Sequence, residues 1–330
     1  VSQPTRLALV RRAGKTESEH WGHAAIVDSA GRLVRGIGSP EVPTFLRSSA
    51  KPFQSMTSIE IGAADHFGWT SSEIAVTCSS HDASSDHLAI VRGLLAKGSL
   101  DESAFRCGPH PPIDNQTREQ LVREGVSPSP IHNNCSGKHA GMLLACLAAG
   151  WPTTAYESTT HPLQQAIRET VARLSGIDAS SIPTGVDGCA VPTFFLPVQS
   201  IALLFAKLAD PDSLSEPDAL AAFRVRQAMQ EHARLVSWRG HLTDKLGQHL
   251  GTQLVSKGGA EGVFGIGLPE QRLGIAIKML DGSARGIAAV ACRLLAEFFP
   301  QADWSRIESD INPPILNTRR DIVGDIVPAL

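Results

Sequence analysis

Aromatic residues make up only 5% of the 330 positions, with a single tyrosine, so there is little from which to build a base-stacking platform. Charge is sparse as well. Charged residues account for 19% of the chain and the net charge is −3, which implies no basic face for a nucleic-acid backbone. The six cysteines, at 78, 107, 135, 146, 189 and 292, show no CxxC spacing. The apolar run Leu7–Val10 is too short for the core of a signal peptide. Together these set the expectation of a cytoplasmic protein with free thiols. No long apolar run is uninterrupted. Gly188–Ala206 carries no charge, but Pro192, Pro197, Gln199 and Ser200 break it. It reads as a buried loop entering a buried helix, not as a membrane span.

Hydrophobic residues are 42% of the sequence, enough for a globular core. Short apolar stretches at Leu7–Arg11, His23–Val27 and Leu33–Ile37 read as strands, the last two flanking a turn at Asp28–Gly31. Helical patterns follow over Asp86–Lys97, Ala140–Ala149, Pro162–Leu174 and Asp218–Val236, the last after a Ser215 cap. Strand patterns return at Leu254–Ser256, Gly262–Ile266 and Leu273–Met279, before an apolar helix over Arg285–Phe299. The expected architecture is α/β (α+β) in one catalytic unit. Residues 1–45 and 250–300 form a sheet from both chain ends, and a mainly helical insert, 46–249, lies between them.

Five segments could carry chemistry. Ser48 and Lys51 form an SxxK pair, which a helix would stack on one face. Pro52 belongs near a helix start, placing Ser48 where backbone N–H groups favour developing negative charge. With 31 Ser and 8 Lys in the chain, one such pattern is expected about once by chance, so context must supply its weight. Lys257-Gly258-Gly259 ends a predicted strand, and its glycines permit close approach of a ligand. An early SxxK with a late Lys-x-Gly strand has the order of penicillin-recognising serine hydrolases. Thr77-Cys78-Ser79-Ser80-His81-Asp82 offers Ser80 as a second hydroxyl. His81 and His87 are read as capping or surface residues more than as bases. His132-Asn133-Asn134-Cys135-Ser136-Gly137-Lys138-His139 and Gly185-Val186-Asp187-Gly188-Cys189 each set a thiol beside glycine and charge. Two thiols leave several readings open: a buried core role, a metal completed by His139, Lys138, Asp187 or water, or a Cys nucleophile with His139 as base.

Taken together, LRSSAKPFQ, CSSHD, CGPHPP, HNNCSGKHAGML, GVDGCAVPTF and LVSKGGAEGVFG resemble the rhizobial-type, or class 3, L-asparaginases, the thermolabile asparaginase II family. The stretches extend from about residue 40 to 290. HNNCSGKHAGML and GVDGCAVPTF are long and specific. The resemblance implies a fold like that of serine β-lactamases and glutaminases, a homodimer, and hydrolysis of L-asparagine to L-aspartate and ammonia. It implies catalysis by two Ser–Lys pairs, Ser48 with Lys51 and Ser80 with Lys257, and a zinc ion held by Cys135, Lys138 and Cys189. Asp187 would meet the substrate ammonium and Arg47 its carboxylate, with Gly258 in the substrate site. The segment Val236–Asp244 departs from the glycine-rich stretch expected there, since Trp238 and His241 occupy it.

Other readings keep the same residues. A glutaminase or a penicillin-recognising peptidase would use the same Ser–Lys chemistry, and a pocket discriminates one methylene only modestly. A non-catalytic zinc-binding protein would use the two thiol loops as a clip, although structural zinc sites usually close with four protein ligands.

Overall fold

Alternating apolar residues build the first strands. The computed structural model describes residues 3–330. In it β1 (Thr5–Arg12), β2 (Lys15–Asp28) and β3 (Leu33–Ile37) pair antiparallel. The β2–β3 turn uses Gly31 at φ +89°, a conformation that costs glycine little. A small second sheet joins β4 (Pro43–Phe45), just before the insert, to β5 (Thr184–Val186) and β6 (Pro192–Pro197) within it, in the order β4-β6-β5. After the insert come β7 (Val255–Gly259), β8 (Val263–Leu268) and β9 (Leu273–Met279). β9 pairs with β2, which joins the two ends of the chain in one sheet. β10 (Ile315–Leu316) and β11 (Ile322–Pro328) extend it beyond residue 300, β11 pairing with β1. The order is β10-β11-β1-β2-β9-β8-β7, with β3 also on β2, so β7 is an edge strand.

The helices of seven or more residues are α1 (Lys51–Glu60), α2 (Ser71–Thr77), α3 (Ser85–Lys97), α4 (Asn115–Glu124), α5 (Ser136–Ala149), α6 (Pro162–Ser175), α7 (Val198–Ala209), α8 (Asp218–Glu231), α9 (Leu242–Leu250), α10 (Ile287–Leu295) and α11 (Trp304–Ile311). Among the described residues, no helix is long and apolar enough to cross a membrane. The uncharged run is a loop, then β6, then α7. The expected helix over Asp218–Val236 ends at Glu231 instead, and Ala233–Val236 forms a separate turn. Tertiary bonds account for the break: the Leu235 carbonyl faces His87 Nε2, and the Val236 carbonyl accepts from the Ser80 N–H. Those carbonyls serve the site rather than a helix ladder.

α7 lies on one face of the sheet because glycines admit it. A Cβ on Gly274 would fall 1.9 Å from the Ala202 carbonyl oxygen, and one on Gly265 would fall 1.9 Å from the Phe205 ring. On the other face, Val290, Leu294 and Leu295 of α10 join Ile266, Ile275 and Ile277 in a second core. α1 is wrapped by the helical lobe and buried from Lys51 to Ile59. Its hydroxyls stay satisfied locally: Thr57 Oγ1 donates to the Phe53 carbonyl, and Ser58 Oγ to that of Gln54. Phe205, fully buried on α7, meets Phe53 of α1 edge to face at 5.5 Å and so ties the lobe to the sheet. Phe205→Ala is expected to destabilise the fold by about 3–5 kcal/mol, measured by urea unfolding.

Candidate active site

The site forms where the start of α1, the end of α2 and the edge strand β7 converge. Pro52 sits in the first turn of α1, where its missing N–H is harmless. The chain enters that helix through a short 3₁₀ turn, Arg47–Ala50. Arg47 takes φ +52°, strained for a residue with a side chain. Two contacts hold it there. Its N–H donates to Thr193 Oγ1 at 3.1 Å, and its Nε donates to Asp187 Oδ1 at 2.7 Å. β7 lies close against this turn, since a Cβ on Gly259 would meet the Leu46 carbonyl oxygen at 2.7 Å.

Ser80 is the hub. Lys51 Nζ lies 2.9 Å from Ser80 Oγ and donates to the Ser79 carbonyl at 2.7 Å. Lys257 Nζ also lies 2.9 Å from Ser80 Oγ and donates to the Gly258 carbonyl at 2.8 Å. Both lysines are 1% exposed and Ser80 is 5% exposed. Burial first, and the charge of Lys51 second, push Lys257 well below its ordinary value. The expected Lys51 bond to Ser48 is not formed: Lys51 turns to Ser79 and Ser80. The reason lies in the buried end of α2, which offers a carbonyl and a hydroxyl together. Ser48 stays half-buried, and no hydrogen bond reaches its Oγ among the described residues.

Asp187 is paired with Arg47 and also accepts from the Gly188 N–H at 2.8 Å. Burial opposes its ionisation, but the Arg47 hydrogen bond, the charge of Lys138 and the Gly188 N–H outweigh it and hold the carboxyl below the usual range. The two thiol loops also meet. Lys138 Nζ donates to Cys189 Sγ at 2.9 Å. Cys135 Sγ donates to Asn134 Oδ1 at 3.2 Å, and Cys189, Lys51 and Lys138 all act on its ionisation. Interaction with Cys189, opposed by burial and aided by Lys51 and Lys138, holds Cys135 well below its ordinary value, while Cys189 is raised. No cluster of three His, Cys, Asp or Glu occurs among the described residues. The donor set here is two sulfurs and an amine, which fits a thiophilic cation provided Lys138 gives up its proton.

His81, His87 and His139 serve structure. His81 Nδ1 accepts from the Ala83 N–H, and its Nε2 is 2.8 Å from Ser136 Oγ. His87 bonds Asp82 and Ser84. His139 Nδ1 is engaged with the Tyr156 hydroxyl at 2.7 Å, and burial, then the charges of Lys138 and Lys51, push the imidazole well below its ordinary value, which makes it a weak base for a thiol. The motifs do not reveal the parts played by Thr193 and Asn133. Asn133 Oδ1 accepts from the Cys135 N–H, and its Nδ2 donates to the carbonyls of Cys107 and Gly108, tying the CGPHPP loop to the thiol loop. An Asn two residues before a functional residue is the available signal.

The family model described as L-asparaginase II matches residues 8–328. The chain belongs to the L-asparaginase II family. No curated relative matches the chain. Similar solved structures include Mglu, at 19% identity and TM-score 0.46 over 84% of this chain and 67% of that one. Mglu in its native form gives 17% and 0.48 over 85% and 64%, so the chain spans less than two thirds of that protein's length. A β-lactamase from Mycobacterium bovis gives 16% and 0.41 over 84% and 94%.

A depressed lysine has a stability consequence. The unfolded chain keeps the Lys257 proton up to about the ordinary value of 10.5, whereas the folded chain sheds it lower. Between those values the unfolded state binds more protons, so this group's contribution to stability rises with pH. Lys257→Met is expected to raise stability at pH 7 by ~0.5–2 kcal/mol. The gain should shrink towards pH 10 in thermal melts at the two pH values.

Proposed function

We propose that this site hydrolyses the side-chain amide of L-asparagine to L-aspartate and ammonia through an acyl-enzyme on Ser48. The observation that carries the reading is the pair of buried lysine amines, each 2.9 Å from Ser80 Oγ, beside the half-buried Ser48. A nucleophile must reach the substrate while a relay need not, so the more open Ser48 attacks and the enclosed Ser80 relays. As it attacks, Ser48 Oγ gives up its proton through Ser80 to the neutral Lys257 amine, a relay that requires the two hydroxyls to come together when substrate binds. Ser48 Oγ bonds to the amide carbon, and backbone N–H groups around Ser48 and the free edge of β7 hold the oxyanion. The C–N bond breaks, with the proton returned to nitrogen, and ammonia leaves. Water repeats the sequence on the ester and releases L-aspartate. Lys51, donating to Ser79 and Ser80, fixes the relay.

Asp187 is ionised and takes the substrate ammonium. The remaining N–H groups of Arg47 take its carboxylate, and Gly258 lines the site at the strand edge. Zinc would be held by Cys135, Lys138 and Cys189, where it would supply a fixed positive charge and stiffen the two loops. Holding it needs a neutral Lys138, whereas without metal the neighbouring thiols outweigh burial and keep that amine protonated above its ordinary value. Metal uptake therefore releases protons and weakens as pH falls. All six cysteines are free and buried, which supports a reducing cytoplasm. A homodimer completes the reading, to be tested by light scattering.

Ser48→Ala is expected to lower ammonia release from L-asparagine by more than about a thousandfold. A variant nearly as fast as wild type would move the nucleophile to Ser80 or a thiol. The profile of kcat/KM is expected to rise towards alkaline pH as Lys257 loses its proton, and a flat profile from about pH 6 to 9 would remove the lysine base. Cys189→Ser is expected to abolish stoichiometric zinc, read by elemental analysis.

A further inference from the structure

The segment after α8 spans the two halves of the site. At one end the Val236 carbonyl accepts from the Ser80 N–H at 3.0 Å, and Ser237 is fully buried. At the other end the His241 ring lies on Gly258. A Cβ there would meet His241 Cε1 at 3.1 Å and Nε2 at 3.4 Å. Between them the chain turns tightly: the His241 N–H donates to the Trp238 carbonyl, Gly240 takes φ +80°, and the Gly240 N–H donates to Asp244 Oδ2 at 2.7 Å. The His241 ring is wedged by Trp238 at 4.2 Å and faces Phe264 at 6.5 Å between centroids.

The ring's chemistry is set by its cap. His241 Nδ1 accepts the Thr243 N–H at 3.2 Å at the start of α9. An imidazole that accepts at Nδ1 carries its proton at Nε2. That Nε2–H has no protein acceptor among the described residues, and His241 is only half-buried. Burial, and secondly the charge of Lys257, push the imidazole down to about 3, so the ring stays neutral through the working range. A fixed, neutral donor is therefore left open next to the strand carrying Lys257 and Gly258.

We propose that His241 is a specificity-determining residue of this site, its Nε2–H donating to an oxygen of the bound amino-acid substrate beside Gly258. The assignment rests on the asparaginase reading of the site. A ring held by Trp238 and by a helix cap gives the donor little freedom, so it rewards only an acceptor that arrives at one depth. Side-chain amides longer by one methylene would present their oxygens elsewhere.

The test is steady-state ammonia release by the full chain with zinc supplied, for wild type, His241→Phe and His241→Gln, on L-asparagine and L-glutamine. Phe keeps the ring and removes the donor, while Gln restores an N–H near the Nε2 position. The expected result is a KM for L-asparagine about tenfold higher in His241→Phe with kcat within about threefold, most of that loss recovered in His241→Gln, and no change of the effect between pH 6.5 and 8. The preference for L-asparagine over L-glutamine should narrow by a similar factor in His241→Phe. An unchanged KM in His241→Phe overturns the assignment while the asparaginase reading stands. An equal rise in both variants also overturns it, because packing and not the donor would then be responsible. No ammonia from the wild type removes both readings.

Discussion

Two lysine amines share the hydroxyl of Ser80 in a place that water barely reaches, and much of the surrounding structure exists to make that arrangement tolerable. A buried cation without partners costs several kcal/mol. Here each amine has a carbonyl as well as the hydroxyl: Ser79 for Lys51 and Gly258 for Lys257. Like charges so close cannot both remain protonated without penalty, and Lys257 yields. A neutral amine 2.9 Å from the Ser80 hydroxyl can serve as a base, and in the proposed mechanism this electrostatic conflict supplies it.

The topology brings these groups together from distant parts of the chain. Ser48 and Lys51 come from the entrance to α1, Ser80 from the end of α2, and Lys257 from an edge strand far along the sequence. β7 can serve this purpose because its outer edge has no strand partner and its glycines let the Arg47–Ala50 turn approach. Closing so long a loop is entropically unfavourable. The β2–β9 pairing and the packing of α7 through Phe205 onto α1 offset it by burying a continuous apolar surface. The site is therefore only as stable as the seam between sheet and helical lobe.

Much of this is legible in the amino-acid sequence. Period-two and helical patterns locate the sheet at both ends, and the patterns over Asp86–Lys97, Ala140–Ala149 and Pro162–Leu174 fall within helices of the structure; the first turn of α5, at Ser136–His139, is missed because that helix is buried continuously from Ser136 to Cys146. Pro52 marks a helix start. What stays hidden depends on tertiary partners. The SxxK spacing suggests a Ser48–Lys51 bond, yet a buried carbonyl and hydroxyl at the end of α2 attract Lys51 more strongly. The strands beyond residue 300 have weak patterns: β11 is only partly buried on either face, so its alternation is faint. The left-handed Arg47 has no local signature, because Thr193 and Asp187 hold it from another part of the chain. The His241 contact shows in the sequence only as an unusual segment; its meaning requires knowing that Gly258 lies beneath the ring.

Lys51 also connects two centres that sequence motifs present as separate. It donates to Ser79 and Ser80, and its charge also favours the thiolate of Cys135, whose loop meets that of Cys189, the thiol bonded by Lys138. The hydrogen bonds therefore run from Lys257 through Ser80 to Lys51, and the thiol pair acts on them through its charge. A change of charge on the thiols alters the field at Lys51, and through it the ease with which Lys257 remains neutral. Low dielectric makes such coupling strong at these separations. Thiol loops and Ser–Lys pairs thus behave as one electrostatic unit. A negative charge on Cys135 raises the basicity of Lys257, so in the proposed mechanism the proton state of the thiols bears on the base that Ser80 depends on.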